Sequence, residues 1–328
     1  MKILIIKPSS LGDIIQSNPT LAALKEAYPD AAITWLVFDA FADILPLFAG
    51  LDRIMVWNKK GGMKEYLRVM GAIRNERFDL VIDLQGLART AVLAFLSGAA
   101  KKIGVPGMKE LSWIFVKQAF PESRGLNAAA RALETVRYLT GKKPGCAFNL
   151  RIPAAIEEYT REILARHKAT GRERVVALIP MARGSHKVWP AEHYRELVGL
   201  LIEDAPDTKI FILGALEDVR RIRHSAAIDI SGRTSLQQMA GILSKCDVVI
   251  GGDTGPVHLA SALGVPLIAV FGGSDVRETS PIAANAVILK KDFPCSPCRG
   301  HATCNDMACL SAITAQEVFA AAKAIMCS

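Results

Sequence analysis

The sequence predicts an α/β protein built from two tandem Rossmann-like domains. Short apolar runs rich in β-branched residues alternate along the chain with segments of helix length. These runs contain few polar residues, which is typical of parallel strands buried on both faces by crossover helices. The length of 328 residues also favours two domains, because one domain usually takes about 100 to 200 residues.

The first half contains four predicted strands, at 3–6, 33–37, 53–56 and 80–84. Helices are predicted at about 14–28, 41–48, 63–77, 87–98 and 127–140. Gly141-Lys142-Lys143-Pro144-Gly145 then interrupts the pattern, because glycine and proline end regular elements. We therefore expect the first domain over residues 1–150.

The second half repeats the alternation, with predicted strands at 175–179, 209–213, 227–230, 248–250 and 267–271. Helices are predicted at about 157–168, 190–204, 216–224, 235–244, 256–263 and 314–326. We expect a second domain over 151–328, with a cysteine-rich segment at 295–309 and a terminal helix. Ligands of parallel sheets bind at the carboxyl ends of the strands, so we expect the functional site in a cleft between the two domains.

The composition narrows the class of protein. Hydrophobic residues make up 51% and charged residues 22% of the chain, which excludes general disorder. Charges interrupt every long apolar stretch before the roughly 20 residues that a membrane-spanning helix needs, and the first apolar run is too short for a signal peptide. We therefore expect a soluble, cytoplasmic protein.

The net charge of +8 is concentrated in the first half. Residues 1–150 contain 20 lysines and arginines against 13 acidic residues, whereas 151–328 contain 20 against 19. A solvated basic surface would explain this excess, and so would an anionic membrane, an anionic lipid or nucleic acid. No RNA-binding aromatic signature or zinc-finger spacing accompanies the charge, so we expect a membrane or lipid partner and no nucleic acid.

The strand-to-helix turn at 251–258 is a candidate anion site. Gly251-Gly252-Asp253-Thr254-Gly255-Pro256 follows an apolar run and leads into a predicted helix. Backbone N–H groups and the helix dipole at such a turn favour phosphate, while Asp253 suits a sugar hydroxyl. The alternative is an ordinary turn capped by Thr254. His258, one turn into the helix, either faces the phosphate or packs like most helical histidines.

Two further loops follow strands of the second domain. Arg183 and Lys187 place cations next to a helix start, which suits a diphosphate; the alternative is a solvated basic loop. Glu217 and Asp218 follow the next strand, where an acid commonly takes ribose hydroxyls; helix capping explains them equally well.

In the first domain, the first strand leads into Lys7-Pro8-Ser9-Ser10-Leu11-Gly12-Asp13. Ser9, Ser10 and Gly12 form a tight loop with free hydrogen-bond donors. Asp13 is either a capping acid at the helix start or a catalytic base. A carboxylate can deprotonate a hydroxyl when that hydroxyl attacks an oxocarbenium-like sugar carbon, because the transition state makes the hydroxyl acidic.

Four of the seven cysteines lie close together, at Cys295, Cys298, Cys304 and Cys309. Four such ligands suit a structural zinc, although the spacing is not that of a standard ribbon or finger. Reduced thiols and disulfides are the alternatives, and a cytoplasmic location disfavours disulfides. In each case we expect a structural role and no catalytic metal.

Three motifs together resemble a known family. They are the loop 7–13, Lys187-Val188-Trp189-Pro190 and Gly252-Asp253-Thr254-Gly255-Pro256-Val257-His258, in this order at the ends of predicted strands. They resemble the ADP-heptose:lipopolysaccharide heptosyltransferases of glycosyltransferase family nine. Val81-Ile82-Asp83-Leu84-Gln85-Gly86-Leu87 also resembles this family, and with Ser9-Ser10-Leu11-Gly12-Asp13 it looks closer to heptosyltransferase I than to heptosyltransferase II.

This resemblance implies a GT-B fold, with an acceptor-binding first domain and a second domain that binds ADP-heptose. The implied acceptor is the Kdo region of lipid A at the cytoplasmic face of the inner membrane, an anionic partner for the basic half. The implied site residues are Asp13 as base, Lys187, Thr254 and Gly255 for the diphosphate, Asp253 for the heptose hydroxyls, and Glu217 or Asp218 for the ribose.

The expected reaction is a single inverting displacement that requires no cofactor. Three alternatives remain. One is heptosyltransferase II or another transferase of ADP- or NDP-sugars. The second is a nucleotide-sugar epimerase of the same architecture, and the third is a non-catalytic lipid-A-binding protein.

Overall fold

A computed structural model describes residues 1–120, 126–169, 171, 173–215, 222, 224–298, 300 and 307–327. The chain divides into two compact units, Met1–Arg151 and Ile152–Ser328. In the part of the chain that the structure describes, no helix is both long and apolar enough to cross a membrane.

The first unit contains a six-stranded sheet in which all strands are parallel. Its strands are β1 (Lys2–Ile6), β2 (Ala32–Phe38), β3 (Arg53–Trp57), β4 (Leu80–Asp83), β5 (Lys101–Gly104) and β6 (Lys117–Gln118). Their order is β3-β2-β1-β4-β5-β6, which is the order of a dinucleotide-binding sheet. The strand order reverses between β1 and β4, so the loops after these two strands are the expected ligand site.

The helices of this unit are α1 (Leu11–Gln16), α2 (Asn18–Ala27), α3 (Gly62–Glu76), α4 (Ala88–Leu96) and α5 (Ala128–Thr140), with 3₁₀ helices at Asp39–Leu47 and Ser112–Ile114. The single helix expected at 14–28 is two helices. Pro19 lies in the first turn of α2 and has no N–H to donate back into α1, so the helical hydrogen bonding is interrupted there.

The second unit repeats the same strand order. Its strands are β7 (Val175–Ile179), β8 (Lys209–Ile212), β9 (Ala227–Asp229), β10 (Val248–Gly252), β11 (Leu267–Phe271) and β12 (Ala286–Lys290). All pair in parallel, in the order β12-β11-β10-β7-β8-β9. The reversal therefore lies between β7 and β10. The two sheets confirm the predicted fold class of two Rossmann-like domains.

The described helices of this unit are α6 (Ala154–Arg166), α7 (Ala191–Asp204), α8 (Leu236–Leu243), α9 (Gly255–Ala262), α10 (Val276–Thr279), α11 (Ala308–Ser311) and α12 (Ala315–Met326), with a 3₁₀ helix at Ser185–Lys187. Most of the helix expected at 216–224 lies outside the described residues.

Three strands were not predicted from the sequence. β5 begins with two lysines and β6 has only two residues, so neither forms an apolar run. β12 lies at the edge of its sheet and contains an apolar run, Ala286-Val287-Ile288-Leu289, so its signal was present in the sequence and was missed.

Trp189 fixes the loop between β7 and α7. Its indole is buried, and Nε1 donates a hydrogen bond of 2.9 Å to the Ile313 carbonyl. The ring lies edge-to-face against Tyr194, whose hydroxyl donates to the Ile179 carbonyl at the end of β7. The residues just before Trp189 are therefore held against the end of the sheet.

Gly251 and Gly252 allow this loop to approach β10. A Cβ on Gly251 would lie 2.8 Å from the Cβ of Ile179, and one on Gly252 would overlap the Lys187 carbonyl oxygen. The absence of side chains, rather than an unusual backbone angle, is what these positions require.

Asp83 organises the loop after β4. It is fully buried, and its Oδ1 accepts hydrogen bonds from the amides of Gln85 at 2.9 Å and Gly86 at 3.1 Å. Its Oδ2 accepts one from the Thr90 hydroxyl at 3.0 Å. Burial raises the pKa of Asp83 to about 6, although these hydrogen bonds and the Lys7 charge act to lower it.

The contact at Gly252 predicts an effect on stability. Gly252→Ala should destabilise the second unit by about 1 to 3 kcal/mol, because the new methyl group must displace the Lys187 backbone. Urea denaturation would measure this. The matched control is Gly199→Ala on α7, where a Cβ meets no atom within 4 Å. It should be neutral or stabilising by up to about 1 kcal/mol, since alanine favours helix. Equal effects of the two changes would contradict the prediction.

Because the pKa of Asp83 is raised in the folded chain, we expect the stability of the first unit to depend on pH. Its pKa is about 6 in the folded chain against an ordinary value of 3.8, so between these pH values the folded state binds more protons than the unfolded state. The free energy of unfolding should therefore fall as pH rises through this range, by at most about 3 kcal/mol. Asp83→Asn should remove this loss, because the amide oxygen still accepts both backbone hydrogen bonds but the group does not titrate.

Urea denaturation below and above this pH range would measure the difference. Asp30→Asn, which alters an exposed carboxylate of the same unit, should keep the wild-type slope. If the free energy of unfolding of Asp83→Asn falls with pH as it does in the wild type, Asp83 is not the group responsible.

Candidate active site

Lys7 is a buried cation at the reversal point of the first sheet. It follows β1 directly, and its side chain is only 5% exposed. The backbone is held on both sides, because the Lys7 amide donates to the Leu36 carbonyl and the Trp35 indole donates to the Lys7 carbonyl. Burial lowers the pKa of Lys7, and the carboxylates of Asp13 and Asp83 act in the opposite direction.

Asp13 lies beside this cation, in the first turn of α1. Its Oδ2 is 3.8 Å from the Lys7 ammonium and accepts hydrogen bonds from the Ser10 amide at 3.2 Å and the Ser10 hydroxyl at 3.0 Å. Asp13 therefore does cap the start of α1, as one of the two interpretations expected. Its side chain nevertheless remains 38% exposed, so the same carboxylate can also reach a substrate.

The electrostatic surroundings keep Asp13 ionised. Burial acts to raise the pKa of Asp13, but the Lys7 ammonium and the Ser10 hydrogen bonds outweigh it, and the net pKa lies below its ordinary value. Arg131 on α5 contributes in the same direction. A carboxylate with this pKa is a weak base towards a free hydroxyl, and it accepts a proton only from a group that the reaction makes acidic.

The other predicted residues of this loop lie in the same place. Ser9, Ser10 and Gly12 are all half-buried around Asp13. Arg131 is a residue that the motifs did not indicate. Its charge acts on both Lys7 and Asp13, and only the packing of α5 against α1 brings it there, across more than a hundred residues of sequence.

In the second unit, Asp253 is the centre of a buried ionic cluster at the reversal point. Its Oδ2 accepts a hydrogen bond from the Lys187 ammonium at 2.6 Å, and its Oδ1 is 3.4 Å from Nε2 of His258. Asp253 and His258 are both buried, and the Lys187 side chain is a quarter exposed. His258 thus faces Asp253 from inside α9 and is not a surface residue.

The cluster keeps Asp253 charged. Burial acts to raise the pKa of Asp253, but the His258 hydrogen bond and the Lys187 charge lower it well below its ordinary value. The carboxylate in turn fixes the Lys187 ammonium beside the end of β10. The pairing of a loop residue with one that lies 66 positions further on has no signal in the sequence.

The start of α9 offers backbone donors next to this cluster. Thr254 is the N-cap residue, and its side chain makes no capping hydrogen bond, so the alternative of an ordinary hydroxyl-capped turn is not what the structure has. The first N–H groups of a helix have no partner within the helix, and the dipole favours an anion there. Gly255 is the first residue of this helix, so its N–H is one of these groups.

Other predicted site residues are less well placed. Arg183 is exposed, and its guanidinium makes no ion pair within the described ranges. Glu217 and Asp218 lie outside the described residues. Ser274 is a buried residue after β11 that the sequence reasoning missed; within the described structure its hydroxyl has no hydrogen-bond partner. It carries no motif, and only its position after a neighbouring strand could have indicated it.

The cysteine-rich segment packs near this region. Cys298 and Cys309 lie against Gly273 and Gly272, the two residues after β11, and Cys295 is exposed. Cys295 and Cys298 have free thiols. Cys304 lies outside the described residues, and among those described no group of three or more histidine, cysteine or acidic side chains is arranged to hold a metal ion.

Comparison with known proteins identifies the family. Residues 66–308 match the model for glycosyltransferase family 9 (heptosyltransferase). The chain is 28% identical over 318 residues to lipopolysaccharide heptosyltransferase 1 of Pseudomonas aeruginosa, covering 91% of this chain and 86% of that protein.

Solved structures agree with this assignment. A family 9 glycosyltransferase from Veillonella parvula superposes with a TM-score of 0.87 at 22% identity, covering 99% of this chain and 97% of that one. Escherichia coli heptosyltransferase WaaC with ADP-2-deoxy-2-fluoro heptose superposes with a TM-score of 0.74 at 25% identity, covering 97% and 98%. The expected GT-B fold is confirmed, and the chain belongs to glycosyltransferase family 9.

Proposed function

We propose that this chain is an inverting heptosyltransferase that moves L-glycero-D-manno-heptose from ADP-heptose to the Kdo region of lipid A. The observation that carries the proposal is the chemistry at the two reversal points. The first unit has a partly exposed carboxylate beside a buried ammonium, and the second has an ammonium, an imidazole and a helix N-terminus around a buried carboxylate. The names of the similar proteins support the choice of heptose and of lipopolysaccharide.

In this proposal Asp13 is the catalytic base of the first unit. Lys7 and Ser10 hold it ionised, and its exposed side meets the acceptor hydroxyl. As the hydroxyl oxygen attacks the anomeric carbon of the heptose, its proton passes to Asp13. The bond from that carbon to the ADP oxygen breaks on the opposite face, so the anomeric configuration inverts.

The second unit binds the leaving group. Negative charge develops on the diphosphate as the bond breaks, and Lys187 with the N–H groups at Thr254 and Gly255 stabilises it. Asp253 holds Lys187 in place and is positioned to accept a hydrogen bond from a heptose hydroxyl. His258 supports Asp253 from the buried side. In this proposal Arg183 also belongs to the donor site. Glu217 or Asp218 binds the ribose.

These cations perform the task that a metal ion performs in other enzymes that use nucleotide sugars. We therefore propose that catalysis is independent of metals and of other cofactors. The acceptor is an anionic lipid, so the enzyme acts as a peripheral protein at the cytoplasmic face of the inner membrane.

One assay tests the proposal against its rivals. Purified protein is given ADP-heptose with Kdo-lipid A, with the same lipid already carrying a heptose, or with no acceptor. Release of ADP with the first acceptor alone supports the proposal. Preference for the second acceptor indicates heptosyltransferase II, and conversion of the sugar without acceptor indicates an epimerase. Binding without turnover indicates a non-catalytic protein.

Asp13→Asn should lower kcat by a factor of about 10² to 10⁴, because the general base is lost. Binding of ADP-heptose should persist, since the donor groups lie in the second unit. Steady-state kinetics and calorimetric titration would measure the two quantities. Asp30→Asn, an exposed carboxylate of the same unit, is the matched control. Near-normal turnover in Asp13→Asn would eliminate it as the base.

Lys187→Gln should lower kcat by a factor of about 10² to 10³, because one charged donor to the leaving diphosphate is removed. Lys245→Gln, an exposed lysine of the same unit, should leave kcat unchanged. A chelator should not affect the wild-type rate. Loss of activity with the chelator, restored by Mg²⁺, would show that the cations of the chain are not sufficient.

A further inference from the structure

An exposed apolar surface lies on the first unit, formed by side chains that have no role in the proposed reaction. We call it the apolar patch and define it by six side chains: Phe95, Leu96, Leu111, Trp113, Ile114 and Phe115. Trp113 is 47% and Ile114 is 68% exposed. Phe95 and Phe115 join the two parts of the patch, with ring centroids 5.9 Å apart. Large apolar side chains grouped in this way mark interaction surfaces.

The loop that carries the patch buries a polar side chain and exposes apolar ones. Ser112 is fully buried, and its hydroxyl donates to the Gly86 carbonyl at 3.1 Å. Its neighbours Leu111 and Trp113 point outward instead. A loop selected only for packing would bury the leucine or the tryptophan and expose the serine. The exposure of these apolar side chains is therefore built into the loop.

The backbone of the loop is held firmly in this conformation. The Lys109 amide donates to the Gly86 carbonyl at 2.8 Å, and the Glu110 carboxylate accepts from the Ala88 amide at 3.1 Å. Glu110 and Leu111 have φ angles of 56° and 57°, a left-handed conformation that costs non-glycine residues on the order of 1 kcal/mol or more each. Such angles persist only where the surroundings impose them, and here they turn Leu111 outward.

The segment that carries most of the patch is positively charged. Residues 101–117, which include most of it, contain four lysines and one glutamate. Lys101, Lys109 and Lys117 are exposed. Moreover, all the large hydrophobic side chains that are strongly exposed in the described structure belong to the first unit, which also carries most of the net positive charge.

The lysines of this segment favour an anionic lipid surface over a second copy of the chain as the binding partner of the apolar patch. A second copy of this chain would form a two-fold interface in which the patch meets itself, and its lysines would face lysines. An anionic lipid surface neutralises the same lysines while its acyl region accepts the tryptophan and isoleucine side chains. Aromatic and aliphatic side chains beside lysines are the composition of surfaces that bind at the membrane interface.

We infer that the apolar patch inserts into an anionic bilayer and docks the first unit on the membrane that contains its acceptor. The choice of occupant rests on the proposed function, because that function places the acceptor in a membrane. The patch itself is described independently of any activity.

Trp113 makes this testable with the wild-type chain. Of the four tryptophans, Trp35, Trp57 and Trp189 are at most 6% exposed, so a change of emission on lipid addition reports Trp113. Phosphatidylcholine vesicles containing phosphatidylglycerol should shift the emission to the blue, and brominated lipid should quench it. Pure phosphatidylcholine vesicles should do so much less. Trp113→Phe should keep the binding and lose the signal.

A double variant, Trp113→Ser with Ile114→Ser, should weaken sedimentation with the anionic vesicles by at least about tenfold. Both side chains are exposed, so the melting temperature should stay close to that of the wild type. Met63→Ser is the matched control, because Met63 is 71% exposed in the same unit but lies outside the patch; it should bind as the wild type does.

Turnover separates this inference from the proposed function. The double variant should lose activity on acceptor embedded in vesicles and keep it on a deacylated, water-soluble acceptor. If the wild type uses neither acceptor, the proposed function fails, while the vesicle assays still decide the inference. Unchanged vesicle binding by the double variant would overturn the inference. So would a wild-type dimer in lipid-free solution that the double variant abolishes, since the patch would then join two copies.

Discussion

The ionic cluster of the second unit depends on the close approach of two backbones at Gly251 and Gly252. With no side chain at either position, the end of β7 and the carbonyl of Lys187 lie directly against β10. The approach brings the Lys187 ammonium to the carboxylate of Asp253, which the same strand continues into. A buried carboxylate without its cation would be strongly disfavoured. The two glycines, the ion pair and the histidine therefore depend on one another: the glycines allow the approach, and the ion pair and the histidine stabilise the buried carboxylate.

The first unit also contains a buried charge with charged partners, but different residues form it. Lys7 is buried and interacts with two carboxylates, that of Asp13 in the first turn of α1 and that of Asp83 at the end of β4. Asp83 is bound by three hydrogen bonds and shapes its own loop, while Asp13 stays partly exposed. One cation thus interacts with two carboxylates in different surroundings, one fully buried and hydrogen-bonded and one partly exposed. Both sheets place buried charge where their strand order reverses, which is also where a parallel sheet leaves room for a ligand.

Much of this was predictable from the sequence, and the limits are physical. Strands buried on both faces are nearly continuous apolar runs, so the central strands of both sheets were evident, and the polar residues that follow them marked Asp13, Lys187 and Asp253. The edge strand β6 has only two residues and lacks that signal, whereas β12 contains an apolar run that was missed. Interactions between distant segments, such as the effect of the Arg131 charge on Asp13 or the hydrogen bond from Lys187 to Asp253, arise only from the packing of the fold.

The bond from Trp189 to Ile313 has a consequence for the order of synthesis. The loop that carries Lys187 is anchored by a carbonyl that lies 124 residues further along the chain. The six strands of the first sheet, by contrast, are complete at Gln118. Because domains generally fold as units during translation, the first unit can reach its final structure while the second is still being made. A nascent chain therefore completes its first unit early and its second unit only after Ile313 has left the ribosome.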